Sequence, residues 1–283
     1  SYRGSMPLSV ALANSVNTIA VQLADRVGPS NIIANAKKMG ITTLDDKDDN
    51  LAMALGGLTR GVTPLEMASA YGTFANKGVH VKPTAIVKIL DRNGNVLEDE
   101  STLGKEENKT RVMSEKEAYE MTVMLEGVID YGTGTAAALG RPAAGKTGTT
   151  DDNKDAWFVG YTPDIVTAVW IGDDTGAHSL GEVYGGTIPA EIWKDYMSSA
   201  AADEPDREFA VPAGMERMRA RTALSNNSAR VADDSKKEAA TEKKESDDKE
   251  KTDEKAESRS EEASRQPSEE ARRQQEDSNN KAQ

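Results

Sequence analysis

An α+β fold, in which an antiparallel sheet packs with helices, is predicted by three features of the 283-residue chain. Helices opened by two capping boxes come first, two consecutive β-rich runs joined by Thr162-Pro163-Asp164 follow, and an amphipathic helix closes the series. Strands that follow one another without an intervening helix pair antiparallel, so a βαβ series with its parallel sheet is not expected.

Each element can be placed from its punctuation. Residues 7–13 read as a helix stub, and residues 18–27 as a helix with Ile19, Ala20, Leu23 and Val27 on one face, stopped by Gly28-Pro29. Ser15-Val16-Asn17 therefore falls at the junction of two helices. A third helix, over 30–39, ends at Gly40. Thr63-Pro64-Leu65-Glu66 is a capping box with Pro at the first helical position, and its helix runs through Tyr71 and Phe74 to Gly78. Residues 84–90 alternate as a strand, and Asp91-Arg92-Asn93-Gly94-Asn95 is a hairpin-type turn into Val96-Leu97. Ser114-Glu115-Lys116-Glu117 opens a helix carrying Tyr119, Met121, Val123, Met124 and Leu125. Residues 156–161 and 165–172 form the hairpin, and 190–200 the closing helix.

The chain is 37% hydrophobic, below the roughly 45–50% of a packed domain. The deficit is local. After Val231 there is no Val, Ile, Leu, Met, Phe, Trp or Tyr, so residues 219–283 are expected to be a disordered charged tail. The alternating charges of 242–255 offer a single solvent-exposed helix as the alternative. The folded part is then 1–218, with Pro205, Pro212 and Gly214 marking its exit. Of the formal net charge of −13, the tail holds 15 of 35 basic and 17 of 48 acidic residues, a net of −2 that leaves −11 in 1–218. An acidic domain lacks the attraction to phosphate backbones that nucleic-acid binders use, so no nucleic acid is expected as a partner. The absence of cysteine removes disulfides, thiolate nucleophiles and cysteine metal sites. Only His80 and His178 remain for imidazole chemistry, both in Gly-rich contexts that read as solvated loops, so neither a Ser-His-Asp triad nor a metal site is expected. No cofactor is expected either. The chain lacks an initiator Met, a signal segment, and an apolar run near the ~18 residues of a membrane helix. It is therefore cytosolic or the back part of something longer.

The chemistry-bearing stretch is Ala144-Gly145-Lys146-Thr147-Gly148-Thr149-Thr150, which has three readings. Residues 140–147 fit G-x-x-x-x-G-K-[ST] literally, and residues 166–173 resemble an apolar strand ending in a magnesium-binding Asp. A phosphate loop, however, needs a strand before its glycines and a helix after its Lys. Here Pro142 interrupts the loop, an Ala-rich piece precedes it, and a turn at 151–154 follows. The second reading makes Lys146-Thr147-Gly148-Thr149 an edge strand lining a cleft. Lys146 then supplies a fixed positive charge, the Thr hydroxyls supply donors, and Gly148 lets a substrate backbone approach and pair. A peptide ending in a carboxylate suits that surface. An ordinary solvated Gly/Thr turn is the third.

The rest of the chain bears on that choice. Ser15-Val16-Asn17 followed by the Lys-Thr-Gly strand is the order of the second and third motifs of the penicilloyl-serine transferases. Further blocks agree: Leu12 to Thr18, Ala54-Leu55-Gly56-Gly57, Val62 to Ala68, Tyr131-Gly132-Thr133-Gly134-Thr135, Asp155 to Pro163 and Val169-Trp170-Ile171-Gly172. Together, over roughly 5–215, they resemble the transpeptidase domain of a bifunctional (class A) penicillin-binding protein. The resemblance implies the β-lactamase/transpeptidase-like fold, with its front part outside this chain, and peptidoglycan D,D-transpeptidation through an acyl-serine intermediate. Its substrates would be stem peptides ending in D-Ala-D-Ala, with β-lactams as mimics. Ser15 would relay a proton to the leaving nitrogen and Asn17 would orient the substrate amide. Lys146, Thr147 and Thr149 would hold the carboxylate, while Gly148 keeps the strand open.

The nucleophile departs from the pattern. The two Ser-x-x-Lys matches, at 246–249 and 278–281, lie in the charged tail, where nothing would desolvate the Lys. The family's order places that motif upstream of Ser1, together with a glycosyltransferase domain and a membrane anchor that would hold the protein on the extracytoplasmic side. The chain by itself is accordingly expected to be inactive. A D,D-carboxypeptidase or β-lactamase-type hydrolase on the same fold is the alternative, because water and an amine acceptor differ by cleft shape rather than by motif. A P-loop or non-catalytic binding protein lies outside it.

Overall fold

The computed structural model describes residues 4–99 and 108–219. The expected tail at 219–283 and the 242–255 helix therefore lie, but for Arg219, outside the described residues. Helix α1 (Leu8–Ala13) leads through a short junction to α2 (Asn17–Val27) and α3 (Pro29–Lys38). Helices α4 (Pro64–Ala75) and α5 (Glu115–Asp130) both begin at reciprocal capping boxes, Thr63 with Glu66 and Ser114 with Glu117, as their sequences predict. Strands β5 (Ala144–Thr149), β6 (Asp155–Tyr161) and β7 (Val166–Gly172) form a three-stranded antiparallel meander in the order β5-β6-β7, so among the described residues β5 is an edge. Helix α6 (Ile188–Ala200) closes the series.

The sheet is packed on both faces. On one, Phe158 of β6 meets Trp193 and Met197 of α6, and Trp193 Nε1 donates to the Gly160 and Thr167 carbonyls at 3.2 Å. A Cβ at Gly160 would lie 2.9 Å from the Phe158 and Trp193 rings, which explains glycine inside a strand there. On the other face, Tyr161 joins Ala13 of α1, Leu125 and Val128 of α5, Ala144 of β5 and Phe209 in a second cluster.

Two local expectations are corrected. The strand expected over 84–90 is laddered only at β2 (Ile89–Leu90), opposite β3 (Val96–Glu98), because a strand extends only as far as its partner does. The turn between them is as predicted, with Asp91 accepting from the Asn93 and Asn95 amides. His80, read as a solvated loop residue, is 8% exposed. It lies in β1 (Val79–Val81), which pairs with β4 (Lys109–Arg111), and its Nε2 shares a 2.8 Å hydrogen bond with Ser69 Oγ. His178 is exposed as expected, with Nδ1 3.2 Å from Asp173.

Candidate active site

The junction between α1 and α2 sets the first half of the site. The Val16 amide donates to the Ala11 carbonyl at 2.9 Å and the Ser15 amide to that of Leu12 at 3.1 Å, the paired bonds of a Schellman turn. Ser15 occupies the left-handed position of that turn, φ +52°, which glycine usually fills. The turn aims the Ser15 side chain at the edge of the sheet. The second half is β5, where side chains alternate between faces. Gly145 is required where it stands, since a Cβ would meet the Phe158 ring at 2.8 Å.

The two halves meet. Lys146 Nζ donates to Ser15 Oγ at 2.8 Å and to the Thr147 carbonyl at 3.0 Å. Burial pushes the Lys146 ammonium down to about 8. Thr147 Oγ1 lies 2.6 Å from Thr133 Oγ1, and Thr149 Oγ1 accepts from the Gly185 amide at 3.0 Å. A cleft of about 820 Å³ is lined by Ser15, Asn17 and the whole Lys146-Thr147-Gly148-Thr149 run, with an apolar wall that includes Ile19 and Leu23. All six residues singled out in the sequence thus border one cleft. Asn17 is exposed on it, at the first turn of α2. A smaller cleft of about 420 Å³ adjoins it, lined by Ser15, Thr133, Thr147 and Thr149.

The phosphate-loop reading does not survive this geometry. Lys146 lies in mid-strand, and the chain after it continues as β5, a single turn at Asp151–Asn153, and β6, with no helix N-terminus following the Lys. Asp173 is committed to its own loop through the Thr175 hydroxyl and the Ala177 and His178 amides. Three further residues border the site without a signal that sets them apart in sequence: Thr133, inside the Tyr131 to Thr135 block, and Gly185-Gly186, whose diglycine fits a close backbone approach only once the fold is known.

Comparison with known proteins places the chain in a family. The family model for the penicillin binding protein transpeptidase domain matches residues 1–198. Penicillin-binding protein 1A of Aquifex aeolicus (strain VF5) is 43% identical over 216 residues, 74% of this chain and 28% of that protein. Penicillin-binding protein 1A of Neisseria meningitidis (strain DSM 15465 / Z2491) is 40% identical over 217 residues, 76% of this chain and 27% of that protein. The chain thus spans little more than a quarter of the length of these relatives. Among solved structures, PonA1 from Mycobacterium tuberculosis in complex with penicillin V superposes with a TM-score of 0.67 at 31% identity, covering 76% of this chain and 61% of that one. A family match over residues 1–198 and relatives at least 40% identical over about three quarters of the chain make this chain a member of the penicillin-binding protein transpeptidase family, class A.

Proposed function

We propose that the chain supplies the carboxylate-recognising and proton-relay half of a peptidoglycan D,D-transpeptidase site. The observation that carries this reading is the 2.8 Å contact from Lys146 Nζ to Ser15 Oγ at the free edge of β5. With the ammonium donating to Ser15 Oγ, the serine's own proton is free for the terminal D-Ala nitrogen that leaves when the penultimate D-Ala carbonyl is attacked and its acyl group passes to the nucleophilic serine, and Lys146 can return a proton to Ser15. Asn17 orients the substrate amide. Gly148 leaves the strand edge open for an extended stem peptide to add to the sheet. The hydroxyls of Thr147 and Thr149, beside the positive charge of Lys146, hold the terminal carboxylate of D-Ala-D-Ala or that of a β-lactam. Because Lys146 titrates near 8, it is mostly charged at neutral pH, and an arriving carboxylate favours that form further.

The acyl-accepting serine of this reading is outside the chain, in the longer protein that also carries the glycosyltransferase domain and the anchor to the extracytoplasmic face of the membrane. Among the described residues no helix is long and apolar enough to cross a membrane. The 283-residue chain alone is expected to form no stoichiometric, hydroxylamine-labile penicillin adduct. The full-length protein is expected to label covalently with a fluorescent penicillin and to join stem peptides, and Ser15→Ala in it is expected to slow acylation about 10²–10³-fold. Trimming without joining would assign a D,D-carboxypeptidase or β-lactamase-type hydrolase, and failure to label would overturn the reading.

A further inference from the structure

The two threonine hydroxyls of β5 are not free groups. Thr149 Oγ1 accepts a hydrogen bond from the Gly185 amide at 3.0 Å, which leaves its own proton available to an acceptor in the cleft. Thr147 Oγ1 and Thr133 Oγ1, 2.6 Å apart, share one proton, and which oxygen donates depends on what else reaches the pair. A carboxylate accepts and cannot donate. When one lies against Thr147, that hydroxyl must spend its proton on the anion and therefore accept from Thr133, a chain in which each bond polarises the next. Thr133 is held for this by its backbone. Its amide donates to the Ala13 carbonyl at 3.0 Å, two residues before Ser15, and its side chain is exposed to the smaller cleft. The Gly185-Gly186 segment closes the other side. A Cβ at Gly186 would lie 2.1 Å from the Thr133 carbonyl, and one at Gly185 would lie 2.5 Å from that of Gly148, so glycine alone lets that loop lie flat on the strand.

We propose that Thr133 is a positioning residue that, with the Gly185 amide, turns the Thr147 and Thr149 hydroxyls into outward donors and so selects a ligand carboxylate over an uncharged group in its place. This rests on the transpeptidase reading above. A neutral ligand without an anionic acceptor gains nothing from that polarity, so selectivity between charged and uncharged ligands is the quantity that Thr133 controls.

The test compares acylation of the full-length protein by a penicillin and by its methyl ester, in the unaltered protein, Thr133→Val and Thr133→Ser. Val keeps the shape and removes the hydroxyl, while Ser restores it. The expected result is a roughly tenfold fall in the second-order acylation rate with the free acid for T133V, little change with the ester, and recovery in T133S. An equal loss with both ligands, or no recovery in T133S, means a structural role and overturns the inference. Unchanged selectivity in T133V overturns it too. Failure of the unaltered protein to be acylated by the free acid overturns the transpeptidase reading and this inference with it, an outcome distinct from the others.

Discussion

Ser15 shows what the site asks of one residue. A non-glycine side chain in the left-handed region costs about 1–3 kcal/mol, and here it stands where a Schellman turn would take glycine without penalty. Because Ser15 lies exposed on an open cleft, water can replace its hydroxyl as a partner for Lys146. Ser15→Gly is therefore expected to raise the stability of the chain by about 0.5–1 kcal/mol, read as a higher urea midpoint with an unchanged m-value. A lower midpoint would show that the Lys146 bond outweighs the strain. The residues differ in how legible they are. The Lys146 to Thr149 run is legible as a cation, two hydroxyls and a glycine at strand spacing, a pattern that fits a cleft edge but also a phosphate loop or a solvated turn until the rest of the chain is added. Ser15 and Asn17 gain meaning only from a resemblance, since a serine between two helices is otherwise an ordinary junction residue. Thr133 acquires its role from Thr147, which folding brings within 2.6 Å.

At the scale of the element, the capping boxes were the most legible feature, and Glu66 shows why one of them matters beyond its helix. Its carboxylate accepts from the Thr63 amide at 3.0 Å, closing the box, and also from the Thr42 amide at 2.7 Å, the Thr42 hydroxyl at 2.8 Å and the Thr43 amide at 3.1 Å. One buried side chain thus joins the start of α4 to the segment that follows α3. Burial alone would raise the Glu66 pKa, but the hydrogen bonds from Thr63 and Thr42 outweigh it and bring it down to about 2. A carboxylate with a folded pKa below its unfolded value adds stability that is complete above about 4.5 and is lost as pH falls towards 2. Glu66→Gln is expected to cost about 2–3 kcal/mol at pH 7 and to flatten the acid limb of the stability profile between pH 4.5 and 2, as thermal melts across that range would record. A parallel loss at every pH would contradict the assignment. The sequence signalled the box but not the second set of bonds, because Thr42 and Thr43 lie in a coil with no periodicity. His80 is hidden from sequence for the same reason: the Gly78 before it suggests a loop, while its β4 partner is some thirty residues away and the Gly40 and Ser69 that lie against its ring come from other segments.

Across the whole molecule, the question is how two residues 131 positions apart keep a 2.8 Å contact. Ala13 and Ala144 are both fully buried, and each stands two residues before its site residue, Ser15 or Lys146. Both belong to the cluster built on Tyr161, so the end of α1 and the start of β5 are fixed against one core. Phe209 completes that cluster, 7% exposed and edge-on to Tyr161 at a centroid distance of 5.6 Å. It lies beyond residue 198, where the family match ends, in a segment whose Pro205, Pro212 and Gly214 read in sequence only as an exit from the fold. A lone aromatic in a Pro-rich stretch carries no period, so its docking is a tertiary fact the sequence does not signal. The segment is held further on by the Tyr119 hydroxyl, which accepts from the Met218 amide at 3.0 Å, and by Arg207 beside Asp164 at 3.2 Å. If residues 201–219 belong to the core of the domain, Phe209→Ala should cost about 3 kcal/mol. In a domain of this size that lowers the melting temperature by about 6–12 °C, while Phe209→Leu, which refills most of the volume, should cost under about 1.5 kcal/mol. Both are read by calorimetry on the chain. A melting temperature unmoved by Phe209→Ala would place the core boundary at the end of α6 and leave the cluster standing on α1, α5 and the sheet alone.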